Sequence, residues 1–163
     1  MLAEIADRHD CRLLPPTGQA RVRSGLVVPA DLSRFHDRCG GAILFVNAPF
    51  TWYVSGPDRL VAANPRLLTP EVAAQVADEE PDDLTNGCYV IADGGRDAAT
   101  DPHIVIDLHR QRLGRCYDTF WDRYGLVGDM PVVALTIAEL LRSLLATGGD
   151  EAVLLARYGD AYD

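Results

Sequence analysis

The stretch that decides the fold is IVIDLHRQRLGRCYDTFWDRYG, residues 104–125. It packs Asp107, His109, Cys116, Asp118 and Tyr124 close together, and these are side chains of acid, base and nucleophile chemistry. It also reads as two strands. Ile104, Ile106 and Leu108 alternate with Val105, Asp107 and His109, then GRCYD follows at a distance that suits an antiparallel hairpin with a four- to six-residue connection. On the second reading the aliphatic set enters the core and the polar set decorates a solvated face.

The residues favour the hairpin. His103, Asp107 and His109, extended by Asp101, carry the donor types of a zinc or iron site. Residues two apart on a strand are nevertheless separated by roughly 6.5 to 7 Å, and no neighbouring strand offers further ligands. No metal or other cofactor is expected. Cys116 lies within a strand, whereas an activated thiolate needs a helix N-terminus or a cationic loop, so it reads as a small buried thiol. DGGRD (93–97) lacks both the phosphate-loop spacing and a following helix, and no G-x-S-x-G, H-E-x-x-H or EF-hand pattern occurs. The aromatics of DTFWDRYG admit two roles. They close the core over the sheet edge, or Trp121 and Tyr124 stand out as anchors for a partner.

Outward from this hairpin, AILFV (42–46) and TWYV (51–54) predict a second hairpin, and CYVIA (88–92) and PVVAL (131–135) predict further strands. Leu26–Val28 could add a short edge strand. Asp31 is placed to cap a helix on which Leu32, Phe35 and Cys39 share a face, with Gly40-Gly41 as its stop. Thr136 and Glu139 form a capping box ahead of the apolar stripe Ile137, Leu140, Leu141, Leu144 and Leu145. A short N-terminal helix, a short helix from Glu71, a wandering 55–70 segment and a tail helix over 151–158 complete the reading. The fold class is α+β, a mostly antiparallel twisted sheet of five or six short strands with helices packed against it. With 163 residues and 48% hydrophobic content the chain suits a single domain. Within it, 1–25 is an N-terminal helix and connector, 26–147 the main α+β body, and 148–163 a tail.

Charge is distributed unevenly. Every one of the 15 cations is arginine, for which codon bias is a better explanation than chemistry. Residues 71–101 hold nine acids against Arg96 alone, so this segment carries −8 of the chain's −9. A polyanion needs a basic footprint, so nucleic acid is not expected as a direct ligand, and a basic protein partner is. Asp78, Glu79, Glu80, Asp82 and Asp83 surround Pro81, which predicts a negative loop, and they are the principal candidate partner-binding residues. No apolar run approaches the roughly 18 to 20 residues of a membrane span, the N-terminus is acidic where a signal peptide would be basic, and the four cysteines are scattered. A cytoplasmic protein with reduced thiols is expected.

The order of a helix ending CGG (39–41), the strand YVIADGG (89–95), the hairpin IVIDL and LGRCYD, and the closing PVVALTIAELLRSLL (131–145) resembles the SUKH superfamily. That group includes a yeast cell-wall synthesis regulator of the Smi/Knr type and many bacterial immunity proteins. The resemblance covers residues 26–147. It departs at Cys88, where a bulky aromatic often precedes the tyrosine, and at Ile137, where phenylalanine is usual; both are apolar packing positions. It implies a protein-binding α+β sheet without catalytic residues, and its bacterial members look like antidotes that sit on a toxin, often a nuclease. Three functions follow for testing: an immunity protein, a regulator or adaptor of a housekeeping partner, and a metal-dependent hydrolase using His103, Asp107 and His109.

Overall fold

The computed structural model describes residues 1–95, 102–120, 122–150, 154 and 157–163. Among these residues five helices, α1 (Leu2–Asp7), α2 (Ala30–Arg38), α3 (Asn64–Leu67), α4 (Pro70–Glu79) and α5 (Ile137–Ala146), accompany eight strands; the tail helix expected over 151–158 falls mostly outside them. The strands are β1 (Cys11–Leu13), β2 (Gly41–Leu44), β3 (Trp52–Ser55), β4 (Val61–Ala62), β5 (Cys88–Gly94), β6 (His103–Asp107), β7 (Cys116–Thr119) and β8 (Val132–Ala134). They form one antiparallel sheet in the order β1-β2-β3-β5-β6-β7-β8, and β4 pairs with β5 beyond the end of β3. The α+β class stands, with more strands than the pattern suggested. The additions, β1 and β4, are three and two residues long, too short to show an alternation. Leu26–Val28 forms no strand; Leu26 and Val28 pack against the core, and the Val27 N–H donates to the Leu108 carbonyl, just past β6, at 3.0 Å.

The hairpin of residues 104–118 is present, with Ile104 opposite Asp118 and Ile106 opposite Cys116. The Asp107 N–H donates to the Arg115 carbonyl at 2.9 Å and the Gly114 N–H to the Asp107 carbonyl at 2.8 Å, which closes the connection over Leu108–Leu113. On one face of the sheet, α1, α2 and α5 deliver Ile5, Leu32, Phe35, Leu140, Leu141 and Leu144 onto Trp52, Ile91, Ile104, Ile106 and Cys116. All five residues of the predicted α5 stripe are buried.

The opposite face is covered as well. Ala63 and Leu67, Leu84, Tyr124, Met130 and Ala161 form a second core over Cys88, Val90, Val105, Tyr117 and Val132. Every residue of β6 is buried in consequence. The expectation of a solvated face bearing His103 and Asp107 is therefore corrected. The segment after β3, expected to wander over the surface, instead folds back as β4 and α3 and supplies part of this cover.

Two local readings change in the same way. Asp31 does not cap α2, whose N-cap is Pro29. Its Oδ2 accepts the Ile137 N–H at 3.0 Å, so it caps α5 from 106 residues away, beside the Thr136 Oγ1 that accepts the Glu139 N–H at 3.1 Å. Gly40-Gly41 follow an extended Cys39, so no left-handed cap ends α2. Gly41 has φ +106° and a Cβ on it would stand 2.5 Å from the Val54 carbonyl oxygen, so glycine is required by the entry into β2.

Candidate partner-binding surface

The acidic segment is built on α4. Thr69 caps it, accepting the Val72 N–H at 3.4 Å, and Pro70 occupies the first turn, where its missing N–H costs nothing. None of its ten residues is buried. It is longer than the short helix predicted, so Asp78 and Glu79 stand on its last turn and not in a loop. Glu80 is the C-cap and Asp82 lies in the turn after Pro81. The Asn86 amide donates to the Val76 and Glu80 carbonyls at 3.3 and 2.9 Å, which ties the helix end to the body. Asp78, Glu79, Glu80 and Asp82 are exposed. Asp83 is half-buried and structural, since its Oδ1 accepts the Thr85 N–H at 2.8 Å and the Thr85 hydroxyl at the head of the 3-10 turn Leu84–Gly87.

Four of the five candidate acids thus share one exposed surface around the end of α4. No ion pair to any of the five occurs among the described residues, although Arg23, Arg112 and Arg115 line hollows beside Asp82 and Asp83. These arginines come from distant parts of the chain, which is why sequence proximity did not show them.

The aromatic candidates fare differently. Trp121 lies outside the described residues. Tyr124 is 3% exposed and belongs to the second core, so its role as an exposed anchor is corrected. Its hydroxyl donates to Asn64 Oδ1 at 2.8 Å and stands 3.2 Å from the Thr85 carbonyl, satisfying the polar tip of a ring whose body is buried.

The polar residues of the opening stretch are likewise structural. Asp107, wholly buried, accepts from the His109 N–H at 2.8 Å, Arg112 Nε at 2.6 Å and the Tyr117 hydroxyl at 3.0 Å. A buried carboxylate is stable only with such a set of donors. Nε2 of buried His103 lies 3.4 Å from Asp93 Oδ1. Asp101, the fourth member of the considered metal set, lies outside the described residues, and among the described residues no group of three His, Cys, Asp or Glu is placed to hold a metal ion. All four cysteines are free and buried, and burial pushes each thiol above its ordinary range, which opposes thiolate formation. No helix among the described residues is long and apolar enough to cross a membrane.

One comparison speaks to the family. The chain is 33% identical to "Immunity protein YokJ" of Bacillus subtilis (strain 168) over 170 aligned positions, covering 100% of this chain and 94% of the relative. The chain belongs to the YokJ family. No family model matches it, and no solved structure matches it. Because the match to YokJ spans the whole chain, the sheet, both cores and the acidic α4 surface all fall inside the region shared with the YokJ family.

Proposed function

We propose that this YokJ-family chain is an immunity protein that neutralises a cognate toxin by direct, non-catalytic binding. The supporting observation is the end-to-end match to a relative whose name is immunity protein. The SUKH-like order of its segments points the same way. The charge distribution adds the chemistry of the partner. A carboxylate surface around α4 is suited to a basic toxin face, as a nuclease presents to its polyanionic substrate, and opposite charge accelerates encounter. Asp78, Glu79, Glu80 and Asp82 are the residues we assign to this steering role, while Asp83 holds the turn that supports them. Antidote and toxin would meet in the cytoplasm of the producing cell.

Co-expression with a candidate toxin encoded beside the gene tests the reading. Survival that depends on this chain, together with a co-purifying complex, is the expected result. Cell death despite abundant folded protein overturns it. Capture of a metabolic or cell-envelope protein in place of a toxin would support the adaptor role.

A further inference from the structure

The connection from β7 to β8 is more elaborate than a connection needs to be. Leu126 and Val127 sit between Gly125 and Gly128, whose φ values of +83° and +86° are left-handed. Two consecutive turns result, closed by the Leu126 N–H on the Arg123 carbonyl and the Asp129 N–H on the Leu126 carbonyl, both at 3.1 Å. The end of the chain then fastens them from outside. Asp160 accepts the Gly128 N–H at 3.1 Å and the Met130 N–H at 3.0 Å through its two carboxylate oxygens, and the Tyr162 hydroxyl donates to the Gly125 carbonyl at 3.1 Å. Beneath the tip, Tyr124 and Met130 are core residues.

On this fixed support Leu126 is 50% and Val127 77% exposed, the latter the most exposed large hydrophobic residue of the described chain. A turn can carry polar residues freely, and nothing in the fold requires aliphatic ones here. An ordered apolar projection loses little further freedom when a partner covers it, which is the property of an interface anchor.

The tip is also continuous with the acidic surface. Gly125 lies against Thr85, the residue held by Asp83; a Cβ on Gly125 would stand 3.4 Å from its methyl carbon. Asp82, Asp83, Tyr162 and Asp163 line one hollow with Arg112 and Arg115, and of these two arginines Arg112 is paired with Asp107. Burial pushes the Tyr162 hydroxyl up, and Asp83, Cys88 and Asp160 add to it.

We infer that Leu126 and Val127 are the apolar anchor of the toxin interface, seated in an apolar hollow of the toxin whose rim is basic and faces Asp82, Asp129, Asp160 and Asp163. This rests on the immunity reading and assigns it a face. The competing position for the anchor is Val72 on α4, which is 43% exposed.

The full chain carrying Val127→Asp, and separately Val72→Asp, is titrated against the toxin encoded beside the gene and tested for protection on co-expression. Both positions are exposed, so an unchanged melting temperature is expected for each. Val127→Asp should weaken the complex about 30-fold or more, the size of an anchor loss, and abolish protection. A basic rim would favour the added carboxylate, so the loss reports apolar contact. Val72→Asp should bind within about twofold of the unaltered chain. Near-normal binding by Val127→Asp overturns the inference, and loss confined to Val72→Asp moves the anchor to α4. If the unaltered chain neither binds nor protects, the immunity reading fails first and the inference with it, a result distinct from a variant-specific loss.

Discussion

Replacing Asp107 by Ala separates the two readings of the hairpin most sharply. On a solvated strand face the change would stay within about half a kcal/mol. In the structure the carboxylate is fully buried and serves three donors: the His109 N–H, Arg112 Nε and the Tyr117 hydroxyl. Its removal strands the Tyr117 hydroxyl in the second core and leaves Arg112, 21% exposed, without its partner. Breaking a buried ion pair from one side costs about 3 to 5 kcal/mol, and the partial exposure of Arg112 places the expectation at the lower end, about 3 kcal/mol. For a chain of this size, each kcal/mol lowers the midpoint by about 2 to 4 °C, so a fall of about 6 to 12 °C is expected. Urea unfolding followed by tryptophan fluorescence measures the free energy, and calorimetry the midpoint. Arg112→Met should also destabilise the fold, because it leaves the wholly buried Asp107 carboxylate without its cation, and the double variant should cost less than the sum of the two singles. A loss below about half a kcal/mol for Asp107→Ala would refute the two-sided burial of β6.

Leu141→Ala should lose about 2 to 5 kcal/mol in urea unfolding, since the side chain is wholly buried between α5 and the sheet; a loss below about half a kcal/mol would put that helix in the wrong phase. Burial pushes the Asp118 carboxyl up to about 7, against the lowering effects of Arg123 and the Thr119 N–H. The folded state therefore holds this proton more tightly than the unfolded state, and its contribution to stability is full below about pH 4 and lost as pH rises through about 7. Asp118→Asn should flatten the melting temperature between pH 4 and 8 relative to the unaltered chain, and an unchanged profile would count against it. Changing Asp78, Glu79, Glu80 and Asp82 together to Asn or Gln should slow toxin association and flatten its salt dependence at constant stability, as stopped-flow mixing at low and high salt would show. Asp83→Ala should instead cost about 0.5 to 2 kcal/mol of stability, because this residue caps a turn.

What the sequence by itself determined is what local periodicity can carry. The α5 stripe, its Thr136 cap, both hairpins and the buried thiol of Cys116 follow from spacing within about a dozen residues, and the structure places all of them accordingly, although the Glu139 carboxylate of the capping box accepts the Leu135 N–H in place of that of Thr136. The crowding of acid into residues 71–101 needs only counting. The tertiary structure alone decided which polar residues are inside. Alternation along β6 separates two faces, but a face bearing His103 and Asp107 looks wet until α3, Tyr124 and Met130 are known to cover it. The donors that make a buried Asp107 tolerable include a side chain from the next strand, Tyr117, and their convergence exists only after the hairpin closes. Asp31 was legible as a cap, yet the helix it serves lies 106 residues away. Likewise β4 is too short to announce itself and forms because β5 offers it an edge beyond β3. The candidate surface divides along the same line. Its charge was evident in the sequence, whereas the arginines beside it and the aliphatic tip fastened by Asp160 and Tyr162 are brought together by contacts across the fold, where free energy depends on neighbours in space and not in the chain.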